Sequence, residues 1–193
     1  MASPDDDPVR TPTDPQAWEA WLEEHGATAD GVWVRIAKKG HDEPSITRAQ
    51  ALDVALCHGW IDGLKRTEDE RWYRQRFTPR RPRSRWSKVN REHVERLIAA
   101  GRMRPAGQRE VDAAKADGRW DAAYDAPSTA TVPDDLRAAL AERPGAAAFF
   151  DALDGRNRYA ILYRIAEAKR AETRARRIAT FADMCAAGET LHP

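Results

Sequence analysis

The spacing of apolar residues in the first half of the chain predicts helices that alternate with strands. Trp18, Trp21 and Leu22 recur at helical spacing, which predicts a helix in this stretch. The run VWVRIA, residues 32–37, is β-branched and aromatic and predicts a strand, as does the run RWYRQRF, residues 71–77. Both kinds of element are therefore expected before the middle of the chain.

The segment ALCHGWIDGLKR, residues 55–66, contains the end of a second helix. That helix opens with a capping box, in which the side chains of Thr47 and Gln50 each satisfy a backbone N–H. Gly59 is a suitable residue to end the helix, because glycine adopts a positive φ at little cost. We therefore expect a helix from Thr47 to Gly59 and a return to extended chain at Trp60.

A loop and a third helix follow the second strand. Pro79 and Pro82 exclude a regular element from the stretch PRRPRSRW, residues 79–86. Ser84 then has the position of an N-cap for a helix that extends to about residue 100. The apolar stripe expected for this helix consists of Trp86, Val89, His93, Leu97 and Ala100.

The second half of the chain is rich in alanine and carries helical signals only. The helices expected there are 133–143, 145–154, 157–170 and 172–187. The fold class is therefore α+β, with a small N-terminal α+β portion, a short and mostly antiparallel sheet, and an all-helical C-terminal portion.

Composition suggests where the domains begin and end. Residues 1–14 combine four Asp and three Pro with almost nothing apolar, which predicts a flexible tail. The α+β domain with its Arg/Trp-rich segment is then expected at residues 15–126, and the helical domain at residues 127–193.

Positive and negative charges nearly cancel over the whole chain. The 193 residues include 32 Lys and Arg and 31 Asp and Glu, so any argument from charge must be local. The N-terminal residues lack the apolar core of a secretory signal, and no apolar run approaches the ~18 residues of a membrane span. We therefore expect a soluble, cytoplasmic protein.

Cys57 and Cys185 fit no metal-ligand spacing, and neither a metal nor a cofactor is expected.

Residues 71–91 carry the strongest local charge. This segment has nine basic residues, eight of them Arg, and no acidic residue. A guanidinium binds carboxylate or phosphate with two hydrogen bonds and stacks on aromatic rings, so arginines interleaved with aromatics suit an anionic ligand. The expected ligand-binding residues are Arg76, Arg80, Arg81, Arg83 and Arg85, with Trp60, Trp72 and Trp86 as walls. The alternative is that these arginines pair with acids from elsewhere and that the aromatics belong to the core.

Two other functions are open. In an enzyme acting on a carboxylate or phosphate, Asp62 or His58 would move a proton while the arginines hold the negative charge. Asp62 can equally cap a turn, and His58 can be an ordinary helix-end histidine. No catalytic triad order, phosphate loop or GxGxxG is present, so no reaction class is indicated. The other possible function is single-stranded nucleic-acid binding, but a pI near 7.8 lacks the basic excess typical of nucleic-acid-binding proteins and makes this function unlikely.

Four stretches are long and specific enough to carry a resemblance: ALCHGWIDG, RFTPRRPRSRWSKVNREHVERLIAAGRMRPAG, AKADGRWDAAY and AKRAETRARRI. Together they closely resemble the bacterial YdeI/OmpD-associated family, also labelled bacteriocin-protection proteins, over almost everything from Trp18 to Gly188. The resemblance implies a part in tolerance of antimicrobial peptides or envelope stress, in some members by association with an outer-membrane porin, and it implies no established reaction. Direct capture of a cationic peptide would be opposed by the positive segment described above.

Overall fold

The computed structural model describes residues 3–127 and 129–193, and the chain divides into one unit that ends at Ala123 and a second that begins at Tyr124. In the described residues, the first unit contains a mixed sheet with helices, whereas the second contains four helices. The α+β class predicted from the sequence is confirmed. The sequence placed the boundary between the domains at residue 126, three residues further along.

The sheet of the first unit has four strands within the described residues. They are β1 (Val9–Arg10), β2 (Val32–Ala37), β3 (Trp60–Thr67) and β4 (Trp72–Pro79). Their order is β1-β2-β4-β3, with β1 parallel to β2 and the other neighbours antiparallel. The pairing of β3 with β4 is irregular between Asp62 and Lys65. A mostly antiparallel sheet, as predicted, is the framework on which the arginine segment lies.

Helices of the first unit cover one face of the sheet or pack beside it. Their bounds are α1 (Pro15–His25), α2 (Arg48–Cys57), α3 (Lys88–Ala99) and α4 (Pro105–Ala116). The capping box of α2 is confirmed, because Thr47 Oγ1 accepts from the N–H of Gln50 and Gln50 Oε1 accepts from the N–H of Thr47, at 3.3 and 3.0 Å. Gly59 follows α2 with a φ of 77° and leads the chain into β3.

Apolar side chains of the first unit form two cores. The core between the sheet and α1 and α2 includes Trp18, Val34, Ile36, Trp60 and Phe77. Trp60 Nε1 donates to the carbonyl of Gly26 at 3.2 Å, so this large ring is buried with its polar atom satisfied. The second core joins α2, α3 and α4 through Leu56, Trp86, Val94, Leu97, Val111 and Trp120.

The N-terminal residues, for which composition predicts a flexible tail, make specific contacts with the sheet. From Ser3 onward they follow the sheet, first as a 3₁₀ turn at Pro4–Asp6 and then as strand β1. Trp33 Nε1 donates to the carbonyl of Pro4 at 2.7 Å, and the carboxylate of Asp7 pairs with Arg76 at 2.6 Å. Composition alone does not reveal these contacts, because they are made with Trp33 and Arg76 of the sheet.

Helix α3 begins later than the sequence predicted. Its N-cap is Ser87, whose Oγ accepts from the N–H of Asn90 at 3.1 Å, whereas Ser84 Oγ accepts from the N–H of Arg81 at 2.9 Å and closes a turn. Trp86 is buried ahead of the helix. The buried residues of α3 are Val94 and Leu97, while Val89 is exposed, so the stripe expected through Val89 was wrong.

The second unit is built from α5 (Asp134–Ala141), α6 (Ala146–Ala152), α7 (Gly155–Ala166) and α8 (Ala171–Ala186). Their apolar faces meet in one core that includes Leu136, Phe150, Ile161, Ile165 and Phe181. All four helices expected from the sequence are present, each with ends within a few residues of the predicted ones. In the described parts of the chain, 3–127 and 129–193, no helix is both long and apolar enough to span a bilayer.

Candidate functional site

The arginines of the basic segment are divided among three places in the first unit. Arg74 and Arg76 lie on strand β4, Arg80 is buried after it, and Arg81, Arg83 and Arg85 lie on the loop before α3. The alternation of strand side chains explains the first group. Tyr73, Gln75 and Phe77 share one face of β4, so residues 72, 74 and 76 share the other.

That other face of the sheet carries the residues we call the arginine face: Trp33, Arg35, Arg66, Trp72, Arg74 and Arg76. Guanidinium groups lie over the indoles there, with Arg35 Cζ 4.3 Å from the ring centre of Trp72 and Arg66 Cζ 4.9 Å from that of Trp33. Trp72, predicted as a wall of a ligand pocket, is therefore half-buried and stacked against an arginine.

Acidic side chains neutralise much of the arginine face. Glu68 accepts from Arg74 at 2.6 Å and from Arg35 at 2.9 Å, and the hydrogen bond from Arg74 lowers the pKa of this carboxyl group. Asp5 pairs with Arg66. The alternative in which the arginines pair with acids from elsewhere thus describes this face well.

Asp7 and Arg76 form the most enclosed of these pairs. Both Nε and Nη2 of Arg76 lie 2.6 Å from Asp7 Oδ2, and the two side chains are only 8% and 18% exposed. Gly31 makes the approach possible, because a Cβ there would lie 2.4 Å from Asp7 Oδ2 and 2.6 Å from Arg76 Nη2. The chain therefore holds one carboxylate of its own against an arginine predicted to bind a ligand.

A cavity of about 350 Å³ opens beside this pair. We call it the arginine cavity; its charged lining residues are Asp7, Asp30, Arg76, Arg80 and Arg81. Pro79 and Pro82 also line it and restrict the backbone that carries two of the three guanidinium groups. Three of the five predicted arginines thus meet at one cavity.

Arg80 is held by contacts on several sides. Its Cζ lies 3.5 Å from the ring centre of the buried Trp86, its Nη1 donates to the carbonyl of Arg85 at 3.3 Å, and its N–H donates to the carbonyl of Gly59 at 2.9 Å. Trp86 and Trp60 are both buried in cores. Neither ring lines the arginine cavity: Trp86 packs against Arg80, and Trp60 belongs to the core between the sheet and the helices.

Arg81 and Arg83 lie on the exposed side of the loop and border, with Pro82 and Ser84, an open depression of about 570 Å³. Within the described residues neither guanidinium takes part in an ion pair. Arg119 Nη1 donates to the carbonyl of Ser84 at 2.9 Å and fixes the loop from below. Arg81 and Arg83 are therefore accessible cations of the basic segment.

The two predicted acid-base residues do not share a site. Asp62 on β3 accepts a hydrogen bond from Arg48, which neutralises it. His58 follows α2 and lies with Nε2 3.6 Å from Glu19 Oε1. Burial lowers the pKa of His58 below its ordinary value and so favours the neutral imidazole.

A cluster that the sequence analysis did not identify surrounds His58. Glu19 and Glu23 of α1 and His58 each offer one ligand atom, and these atoms lie within 4.8 Å of one another. Arg104 Nη2 lies 2.8 Å from Glu19 Oε1 and 3.7 Å from Glu23 Oε1. The only signal in the sequence was the i, i+4 spacing of the two glutamates, and nothing there joins residue 19 to residue 58.

Several basic residues of the second unit are engaged in ion pairs. Arg174 makes two contacts with Asp135, at 2.6 and 2.9 Å, and Arg143 lies 2.6 Å from Asp183. Arg158 lies 3.2 Å from Asp151. Part of the positive charge of the second unit is therefore neutralised by acidic side chains of the same unit.

Two family models match the chain. The model described as "Domain of unknown function (DUF8412)" matches residues 10–110, slightly more than half of the chain, and the model described as "Bacteriocin-protection, YdeI or OmpD-Associated" matches residues 129–188. A domain of the predicted family is thereby confirmed at residues 129–188, whereas residues 10–110, over which the resemblance to that family was also expected, match the domain of unknown function. Neither the curated proteins nor the solved structures give a significant match.

Proposed function

Since the chain belongs to the family of the DUF8412 domain and carries a domain of the bacteriocin-protection, YdeI or OmpD-associated family, we propose that it is a binding protein that holds an anionic ligand in the arginine cavity. The ligand's carboxylate or phosphate group would bind Arg76 and Arg81, and Arg83 would add charge from the open side of the loop.

The pair of Asp7 with Arg76 is the observation that carries this proposal. The carboxylate of Asp7 is only 8% exposed and is bound by the guanidinium of Arg76 at the wall of the cavity. An anionic group of a ligand would bind this guanidinium in the same geometry. Asp7 belongs to a short segment at the start of the described chain, so its carboxylate is an internal substitute for such a group. A ligand that displaces Asp7 would meet three guanidinium groups with Asp30 as the remaining acid of the cavity.

Rigidity also supports binding at this place. Pro79 and Pro82 restrict the loop, and Arg80 is fixed between Trp86 and the backbone. Because these groups are positioned before a ligand arrives, little conformational entropy is lost on binding. The accessible arginines then add charge without the cost of ordering a loop.

The proton-transfer alternative has less support. Asp62 is paired with Arg48, and His58 is buried beside Glu19, so neither contributes to the arginine cavity.

The family description suggests that ligand binding serves protection against bacteriocins, and the positive loop favours an anionic metabolite or envelope component over a cationic peptide as the ligand.

A thermal-shift screen against nucleotides, phosphorylated sugars, organic acids and short single-stranded oligonucleotides tests the proposal. A ligand present at 100 times its Kd stabilises the native state by about 2.7 kcal/mol. We expect the shift to be lost in Arg81→Ala and Arg83→Ala and retained in Arg137→Ala, a matched control at an exposed arginine of the other unit. Equal shifts in all three variants would contradict the proposal.

A further inference from the structure

We propose that Glu19, Glu23 and His58 form a binding site for a divalent transition metal ion of the zinc class. The site is independent of the arginine cavity and of the function proposed for it. Helix α1 places the two carboxylates one turn apart on the same side, and the turn after α2 places the imidazole against them. The ligand atoms of all three residues lie within 4.8 Å of one another.

His58 is the observation that points to a ligand. Its side chain is only 9% exposed, and its Nε2 is buried without a hydrogen-bond partner among the described residues. A buried ring nitrogen is normally paired, so an unpaired one next to two carboxylates calls for an explanation. A metal ion would supply the missing partner.

The spacing of two of the three ligand atoms fits one ion. His58 Nε2 and Glu19 Oε1 are 3.6 Å apart, which is too long for a hydrogen bond. Two ligand atoms that each lie about 2.1 Å from a tetrahedral ion are separated by about 3.4 Å. Both atoms can therefore bind the same ion with side-chain shifts of a few tenths of an ångström.

The donor set indicates which metals to expect. One imidazole nitrogen and two carboxylate oxygens suit Zn²⁺ and neighbouring first-row ions, whereas Mg²⁺ and Ca²⁺ prefer sites made of oxygen alone. Three protein ligands leave one tetrahedral position for water or another small molecule, as in zinc sites that are not purely structural.

Arg104 is the group that would compete with the ion. Its guanidinium contacts both carboxylates and neutralises them in the absence of metal. The side chain is 48% exposed and can turn toward solvent when an ion binds. Removal of this arginine should therefore strengthen metal binding, which is the opposite of the effect expected for a ligand residue.

Calorimetric titration of the full chain, with any affinity tag removed and metal stripped by a chelator, tests the site. With ZnCl₂ as the probe we expect one ion per chain, and no comparable binding of MgCl₂. Glu23→Gln and His58→Gln should each weaken zinc binding at least about tenfold, because even residues that only support a ligand change metal affinity by about 10–100-fold. Arg104→Ala should tighten it.

Glu24→Gln is the matched control, since this neighbouring glutamate is 77% exposed and outside the cluster. It should bind zinc like the wild type. Glu23 is also exposed, so Glu23→Gln keeps the test valid if His58→Gln fails to fold. Unchanged zinc affinity in Glu23→Gln, or no zinc binding by either the wild type or Arg104→Ala, would overturn the proposal.

Discussion

Replacing Arg76 with Ala should destabilise the first unit far more than replacing a surface arginine does. The change leaves the carboxylate of Asp7, only 8% exposed, without the two guanidinium nitrogens that lie 2.6 Å from it. Loss of one partner from a buried ion pair costs about 3–5 kcal/mol. Since Arg76 keeps 18% of its side chain in solvent, we expect a value near the lower end, about 3 kcal/mol.

A double-mutant cycle separates the pair from other contacts of the arginine. Asp7→Ala removes the buried charge, so Arg76→Ala in that background should cost less, with a coupling free energy of about 1–3 kcal/mol. Urea unfolding followed by tryptophan fluorescence is the assay. All seven tryptophans precede residue 124, so this signal reports on the first unit alone.

Additive effects of Asp7→Ala and Arg76→Ala would refute the reasoning. Such a result would mean that the N-terminal segment does not hold its carboxylate against β4 in solution. Gly31→Ala gives an independent check, because its Cβ would lie 2.4 Å from Asp7 Oδ2 and should separate the pair. Its cost should shrink when Asp7 is already alanine.

Three further predictions concern pH dependence and helix capping. Burial lowers the pKa of His58 in the folded state, so the unfolded chain binds a proton more readily and the free energy of unfolding should fall as pH drops below about 6.5. Urea unfolding at several pH values should show that this part of the pH dependence is absent in His58→Gln. The hydrogen bond from Arg174 lowers the pKa of Asp135, so the stability that this ion pair contributes should be present above the ordinary carboxyl pKa and be lost as pH falls through the lowered pKa. Acid unfolding followed by circular dichroism should therefore be less sensitive to pH in Asp135→Asn. Ser87→Ala should lower the free energy of unfolding by about 1 kcal/mol and Ser84→Ala by less, because only Ser87 caps α3.

Local sequence signals predicted most elements of the fold. The capping box of Thr47 and Gln50 located the start of α2, and the β-branched run at 32–37 located β2, because each depends on residues adjacent in the chain. The start of α3 was misplaced because Ser84 and Ser87 both have the chemistry of an N-cap, and the burial of Trp86, which decides between them, comes from tertiary packing.

The candidate sites depend on contacts between residues far apart in sequence. The arginine segment was visible as a concentration of charge, but the acidic partner of Arg76, Asp7, is 69 residues away in sequence. A complementary run of three aspartates at residues 5–7 was the available signal, and it was interpreted as a disordered tail. The cluster of Glu19 and His58 had no comparable signal, since only the packing of α1 against the end of α2 brings the two together.

The central claim is that an anion binds in the arginine cavity in competition with Asp7. Calorimetric titration with pyrophosphate or citrate, on the wild type, Asp7→Asn and Arg81→Ala, tests it most directly. Asp7→Asn removes the internal competitor and should bind more tightly than the wild type, whereas Arg81→Ala should bind more weakly. Equal affinities in all three proteins, or tighter binding in Arg81→Ala, would contradict the claim.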